Sequence, residues 1–228
     1  MNTKESLKKL AEELKTMSWP QRIDHIWTYY KEVILLAALG IVIAVGFISS
    51  FVQANKVNLI NGMMVNITME QTGYNYLTQD FGEQVITQKD EEVTLEYTEF
   101  LSMADPTSNE DNYYAAMTVI AEVSAKRLEY VIQDKLSLEF YLTQDVFMDL
   151  QSFFTPEELA QWEDKLIYGY EEDTNRKWVA AVDITEIPYV RDNVTSEGPI
   201  YFSLGGSTEK LEMCRKMWEH ILAWESKE

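Results

Sequence analysis

The sequence predicts an α/β fold, a three-layer and mainly parallel sheet, carried behind a single transmembrane helix. Three observations predict it. Residues Val33 to Ala54 (VILLAALGIVIAVGFISSFVQA) hold no charged side chain. From Val57 onward, strand-like segments alternate with helix-like ones, which is the signature of a parallel sheet covered on both faces. The charge is partitioned: residues 1–32 carry six Lys/Arg against five Asp/Glu, whereas residues 57–228 carry twelve against thirty-three, a net of -21. These observations give a leader at 1–32, a membrane helix at 33–54 and a folded domain at 55–228.

At about 1.5 Å per residue the charge-free run matches the roughly 30 Å hydrocarbon core of a bilayer. Trp27, Tyr29, Tyr30 and Lys31 stand before it, where amphipathic rings and a snorkelling ammonium suit the headgroup layer, and His25 shares that interface. Lys4, Lys8, Lys9, Lys15, Arg22 and Lys31 precede the run, and Lys56 follows it. The positive-inside rule therefore predicts a cytoplasmic N-terminus and an extracytoplasmic C-terminal domain at a bacterial plasma membrane. Val52-Gln53-Ala54 also has the pattern of a signal-peptidase site before Asn55, but the length of the apolar run favours an uncleaved signal anchor. In the leader, Leu7, Leu10, Ala11, Leu14 and Met17 recur at helical spacing, with Lys4, Lys8 and Lys15 on another face; Trp19-Pro20 is expected to end this helix. It can lie on the inner membrane surface or bind a cytosolic partner.

In the domain, Val57–Ile67 is apolar throughout, as a strand buried on both faces should be. A helix is expected near Tyr74–Val85, a strand at Val93–Thr98, and a turn-rich loop at Asp105–Asn112. Tyr113, Met117, Ile120, Ala121 and Ser124 form a helical stripe, and Leu128–Gln133 a short strand that hands over at Asp134 to a helix near Lys135–Gln144. Thr155-Pro156-Glu157-Glu158 reads as a capping box with Pro in the first turn. Glu171–Lys177 reads as a charged loop, and Trp178–Ile184 and Ile200–Leu204 as further strands. On the last helix Leu211, Cys214, Met217, Trp218, Ile221 and Leu222 share one face, so Cys214 is expected to be a buried thiol.

Composition excludes several classes of function. A domain this acidic repels nucleic acid. One cysteine precludes an intrachain disulfide and a cysteine-based zinc site. His25 and His220 lie on opposite sides of the membrane run, and His220 sits among Glu219 and Lys216 with no nucleophile beside it. The clusters Asp90-Glu91-Glu92 and Glu171-Glu172-Asp173 lack the alternating ligands and central glycine of a calcium loop. No catalytic residue, metal ligand or cofactor is read from the sequence, and an enzyme is not expected.

The stretch Ala125–Asp134 (AKRLEYVIQD), continued by LEFYLTQDVFMDLQSFF, resembles a recurrent passage of bacterial extracytoplasmic solute-binding proteins. There a helix ends in a small residue, a strand of the type Asp-Val-Ile follows, then a short helix and a Phe-x-Asp-Leu turn. Val131, Ile132, Asp134, Phe147, Asp149 and Leu150 fit that passage, and Glu129 replaces the usual Asp. The similarity in element order runs from about Val57 to Phe154 and returns over PIYFSLGGSTEKLEMCRKMWEHIL. With HIWTYYK before the membrane run, the layout also resembles small single-pass membrane proteins of clostridial-type bacteria. The resemblance implies one lobe of a solute-binding fold, an anchored module that binds a ligand or a membrane or transporter protein. Solute-binding proteins close two lobes around a ligand, and the external part here has length for one; a structural or assembly subunit without a small-molecule ligand is the alternative.

Two residues are candidates for ligand binding: Thr98 and Asp134 fall near the C-terminal ends of predicted parallel strands, where open α/β sheets bind ligands. Each has an architectural reading beside it, Asp134 as a helix N-cap and Thr98 as an ordinary strand residue. Ser203–Thr208 (SLGGST) reads as a tight turn with a Ser or Thr N-cap, or as a backbone cradle for an anion; its glycine and lysine spacing is not that of a P-loop.

Overall fold

The computed structural model of the protein describes residues 17–54, 56–98, 110–171 and 175–225. It divides between Lys56 and Val57 into two units. The first contains α1 (Trp19–Ala54), a helix of 36 residues. Its start is written in Ser18-Trp19-Pro20-Gln21: the Ser18 backbone N–H and hydroxyl both donate to Gln21 Oε1, at 3.1 and 2.9 Å, and Pro20 occupies the first turn, where no N–H is needed. Apart from Met17, the leader helix expected upstream lies outside the described residues, and Trp19-Pro20 begins α1 where a helix end was expected. Apolar side chains from Val33 to Phe47 along α1 are exposed. Among the described residues no helix is long and apolar enough to cross a membrane; side chains in this part of α1 are described over 31–47, and the charge-free run continues past them to Ala54.

The second unit is a mixed α/β domain. Its six-stranded sheet comprises β1 (Val57–Val65), β3 (Glu91–Thr98), β4 (Tyr130–Asp134), β5 (Leu166–Glu171), β6 (Arg176–Asp183) and β8 (Ile200–Leu204), in the order β3-β1-β4-β8-β6-β5. A small ladder joins β2 (Thr68–Met69) to β7 (Val194–Thr195). The helical segments are α2 (Gln71–Asn75), a π-turn (Tyr76–Asp80), α3 (Phe81–Val85), α4 (Glu110–Ser124), α5 (Lys135–Leu142), α6 (Pro156–Gln161), α7 (Pro188–Asn193) and α8 (Leu211–Leu222), with short 3-10 turns at Leu150–Ser152 and Glu163–Lys165. The apolar run of β1 is buried from Ile60 to Val65, as two-sided coverage requires. Alternate residues feed two cores. Tyr130 and Ile132 face a cluster with Leu77, Phe81, Met217 and Trp218; Val131 faces another with Ala116, Val119, Val123 and Tyr141.

The sheet is mixed where a mainly parallel one was expected. β1 pairs parallel with β3 and β4, while β4–β8, β8–β6 and β6–β5 are antiparallel. Chain length explains the difference. Glu171 and Arg176 end and begin neighbouring strands with too few residues between them for a crossover, so they form a hairpin. After β6 the chain returns beside itself, Ile184 N–H donating to Ile200 O at 2.8 Å, which makes β8 run back along β6. Part of the region read as a charged loop is thus strand, and β5 was not anticipated. On α4 the buried stripe is Ala116, Val119 and Val123, rotated from the predicted one; Tyr113, Ala121 and Ser124 face outward. Of the loop expected at Asp105–Asn112, the part up to Asn109 lies outside the described residues, and 110–112 are instead the first turn of α4.

Two glycines are demanded by aromatic neighbours. Gly62 stands opposite Tyr130 across β1 and β4, and Gly169 opposite Trp178 across β5 and β6. A methyl at either position would overlap the facing ring. Each ring lies over a glycine and supplies the packing its missing side chain would leave out. Tyr130 is fully buried and packs against Phe202 at 6.0 Å between ring centroids, so it has no room to step aside. Residues 57–228 expressed alone are expected to unfold cooperatively in denaturant, and Gly62→Ala to lower their stability by about 1–3 kcal/mol through overpacking. Tryptophan fluorescence checks both: a broad, non-cooperative loss for the wild-type fragment, or an unchanged midpoint for the variant, would contradict this packing.

Candidate functional site

The carboxyl ends of the parallel strands meet where β1 lies between β3 and β4. Val65 pairs with Thr98 on one side and with Gln133 on the other. Asn66, next in the chain, adopts the left-handed conformation (φ 56°), which asparagine tolerates better than most residues. That turn aims its N–H at Thr98 O (3.1 Å) and its side-chain amide at Ser137 Oγ (3.1 Å). Ser137 in turn donates twice to Asp134 Oδ1, from its N–H at 2.9 Å and its hydroxyl at 2.5 Å.

Thr98 and Asp134 therefore stand at strand ends on opposite sides of β1, linked through Asn66 and Ser137, neither of which was anticipated, and Thr98 does not line the cleft beside Asp134. Asp134 acts as the N-cap of α5, and its carboxylate oxygen serves that helix and Ser137. It is 6% exposed, and Ser137 is wholly buried. Thr98 is half-buried, with its carbonyl engaged by Asn66. Asn66 and Asp134 border a surface cleft of about 370 Å³ that Glu139, Ser196 and Pro199 also line, and Lys135 pairs with Glu139 across one turn at 3.6 Å. Ser137 is wholly buried, and the carboxylate beside it is engaged in capping α5, so this arrangement braces strand ends and offers no hydroxyl to a substrate. Among the described residues no group of three or more His, Cys, Asp or Glu side chains could hold a metal ion.

The anion-cradle reading of Ser203–Thr208 is overturned. Gly205 N–H donates to Glu129 O (2.9 Å), Gly206 N–H to Val146 O (2.7 Å) and Thr208 N–H to Gly205 O (3.1 Å). The Ser207 hydroxyl donates to Val123 O. With these donors turned onto carbonyls, none of them faces a ligand. Nor does Ser or Thr cap the last helix: Lys210 holds that position without a side-chain cap.

Lys210 serves a different purpose. Its ammonium lies 2.9 Å from Glu129 Oε1 and donates to Asn58 O at 2.9 Å. Glu129 is 1% exposed, and its Oε2 accepts from Asn61 N–H at 2.6 Å beside a bulge in β1. Asn61 is satisfied in turn by Thr94, Glu96 and the Arg127 carbonyl. The residue that departs from the solute-binding passage is thus a buried structural carboxylate. Cys214 is buried too; desolvation, with the Glu129 charge adding to it, pushes its thiol up to about 12, so it stays protonated and unreactive.

His220, read from sequence as lying among charged neighbours on the last helix, is buried against the π-turn. Its ring stacks on Tyr76 with centroids 3.8 Å apart. Because the Tyr76 carbonyl can only accept, Nε2 carries the proton and donates to it at 2.9 Å, which leaves Nδ1 to accept from Gln84 at 3.2 Å. The Tyr76 hydroxyl closes the loop by donating to His220 O at 2.8 Å. Burial pushes the imidazole below its ordinary pKa, with the Tyr76 hydrogen bond and the Asp80 charge acting the other way.

Two outcomes follow. Asp134→Asn should be nearly silent in thermal unfolding, and Asp134→Ala should cost about 0.5–2 kcal/mol, since Asn caps as well as Asp; a large loss with Asn would show that the charge itself is needed. For His220, the neutral ring is the folded-state form, so its stabilisation is complete above the unfolded value of about 6.5 and is lost as pH falls through the lowered folded value. As pH falls below about 6.5, wild-type Tm should fall more steeply than that of His220→Gln. Parallel curves would remove His220 as the cause. Glu91, Glu122 and Glu209, whose carboxyls are held low by hydrogen bonds, act in a more acidic window. No family model matches this chain, and neither a curated protein nor a solved structure matches it.

Proposed function

We propose that this chain is a membrane-anchored, extracytoplasmic module that resembles one lobe of a solute-binding protein and binds a partner protein at the membrane. One observation carries the anchor: the charge-free run from Val33 to Ala54 lies within a single unbroken helix whose apolar side chains from Val33 to Phe47 are exposed. Such an exposed apolar surface calls for cover, which the hydrocarbon of a bilayer would supply once the charge-free run is taken through to Ala54. The excess of Lys/Arg before the run supports an N-terminus in the cytoplasm and an α/β domain outside.

A protein partner is favoured over a small solute by the condition of the strand-end site. Asp134, the residue suited to a cationic solute, is engaged with Ser137 and α5, and the cleft beside it lies on one sheet domain with no second lobe among the described residues to close over it. A structural or assembly subunit of a membrane complex is the form of this reading that needs no small-molecule ligand.

In intact cells, Glu228→Cys should react with a membrane-impermeant maleimide while Thr3→Cys reacts only after lysis, the buried Cys214 staying silent in the folded chain. The reverse pattern would overturn the orientation, and labelling of neither or both before lysis would overturn the anchor. Cross-linking in native membranes followed by affinity capture should recover a defined protein partner; recovery of the chain alone would defeat the docking reading.

A further inference from the structure

The two edges of the sheet are built differently. β3, at one edge, carries Glu91, Glu92 and Glu96 along its length, charges that discourage another strand from adding there. β5, at the other, reads Leu166-Ile167-Tyr168-Gly169-Tyr170 without a charge before Glu171, and among the described residues no strand pairs with its outer side. It has no proline and no lysine, two of the usual devices for blunting an edge. Gly169 is covered from one face by Trp178, and on the other face Tyr168 and Tyr170, two residues apart, are 43% and 59% exposed.

Beside those tyrosines lies a groove of about 420 Å³ between β5 and the end of α6, lined by Leu159, Ala160, Leu166, Tyr168 and Val179, with Glu163 as its charged member. The Tyr168 ring already receives one cation, the Lys177 ammonium 3.8 Å from its centroid. The domain around the groove carries a net charge of -21 over residues 57–228. A second copy of the chain would bring the same negative charge to this surface, whereas a basic segment is drawn to it.

We infer that the β5 edge is the docking site for a cationic, extended segment of a partner protein, which adds as a strand beside Leu166–Glu171 and lays alternate apolar side chains into the groove under Tyr168. This rests on the docking reading above and names the surface and chemistry it uses. Main-chain hydrogen bonds along β5 would hold the segment, and the groove with Glu163 would select apolar residues alternating with Lys or Arg.

The test uses the full chain in neutral detergent micelles. The probes are blocked peptides of about eight residues, one alternating lysine with valine and one glutamate with valine, a length that matches a typical strand. Amide hydrogen exchange is read along the chain. The lysine peptide should slow exchange over 166–171 by about tenfold or more and leave 91–98 unchanged, and the glutamate peptide should do neither. Tyr168→Ser, at a half-exposed position, should weaken binding by about fivefold or more with unaltered exchange elsewhere. Equal protection by both peptides, protection at 91–98, or no protection overturns the inference. So does concentration-dependent self-association that protects 166–171 without peptide. A membrane partner that Tyr168→Ser captures as well as wild type does would also overturn the strand-edge site while leaving the docking reading in place; a wild-type chain that recovers no partner would instead defeat the docking reading.

Discussion

The buried carboxylate of Glu129 is the interaction on which the rest of the domain depends. Its main chain exchanges hydrogen bonds with Asn61 O and Gly205 N–H, and its side chain takes the Asn61 N–H beside the β1 bulge. One residue thereby ties the start of β4 to the bulged strand and to the turn that follows β8. An ionised carboxylate so far from water costs several kcal/mol unless it is paired and hydrogen-bonded. Lys210 supplies the pair from the entry to α8, so the last helix is placed partly by a charge that the sheet cannot leave unmatched. Removing Lys210 would strand the buried carboxylate, at a cost of about 3–5 kcal/mol, whereas the partly exposed Lys210 can turn to water when Glu129 is removed.

Around that anchor the sheet is filled by shape. Gly62 and Gly169 are sites where a large ring is laid over a residue without a side chain, and both belong to directly opposed pairs. The ring of Tyr130 then closes the core between β1 and α8, with Phe202, Trp218 and Phe154 in successive contact. The Tyr130 hydroxyl is buried with no partner among the described residues, and burial pushes its pKa up, so the phenol stays neutral. Packing volume, and not hydrogen bonding, accounts for a tyrosine's presence there.

The surface follows a separate logic. Acidic side chains outnumber basic ones by thirty-three to twelve over residues 57–228 and guard β3, yet they leave the β5 edge apolar and aromatic before Glu171. A strand edge left unguarded in an otherwise strongly charged domain is compatible with solubility only if it is short, and β5 has six residues. The strand-end site at Asn66, Asp134 and Ser137 shows the opposite character, with its polar groups turned on one another. The β5 edge thus leaves main-chain groups unpaired among the described residues, whereas the Asp134 side chain at the strand ends is engaged by Ser137.

Features that depend on residues within one helical turn were legible in the sequence. The Thr155–Glu158 capping box forms as written, with both hydrogen bonds in place, and Asp134 caps α5 because its acceptor meets an N–H three residues on. The apolar run of β1 and the Cys214, Met217, Trp218, Ile221 part of the α8 stripe were also readable from periodicity, whereas Leu211 and Leu222, expected on the same face, are exposed at the ends of the helix. What the tertiary structure decided are contacts between distant residues. His220 is buried by Tyr76, 144 residues away; the Gly205 and Gly206 amides are taken by carbonyls of other segments. The stripe of α4 could have been any of several neighbouring ones, and the sheet beneath it selected Ala116, Val119 and Val123. β5 is a strand because β6 pairs with it, an outcome that its own six residues do not specify. Local hydrogen bonds and apolar periodicity are properties of a chain segment, whereas pairing and burial depend on which surfaces the whole fold brings together.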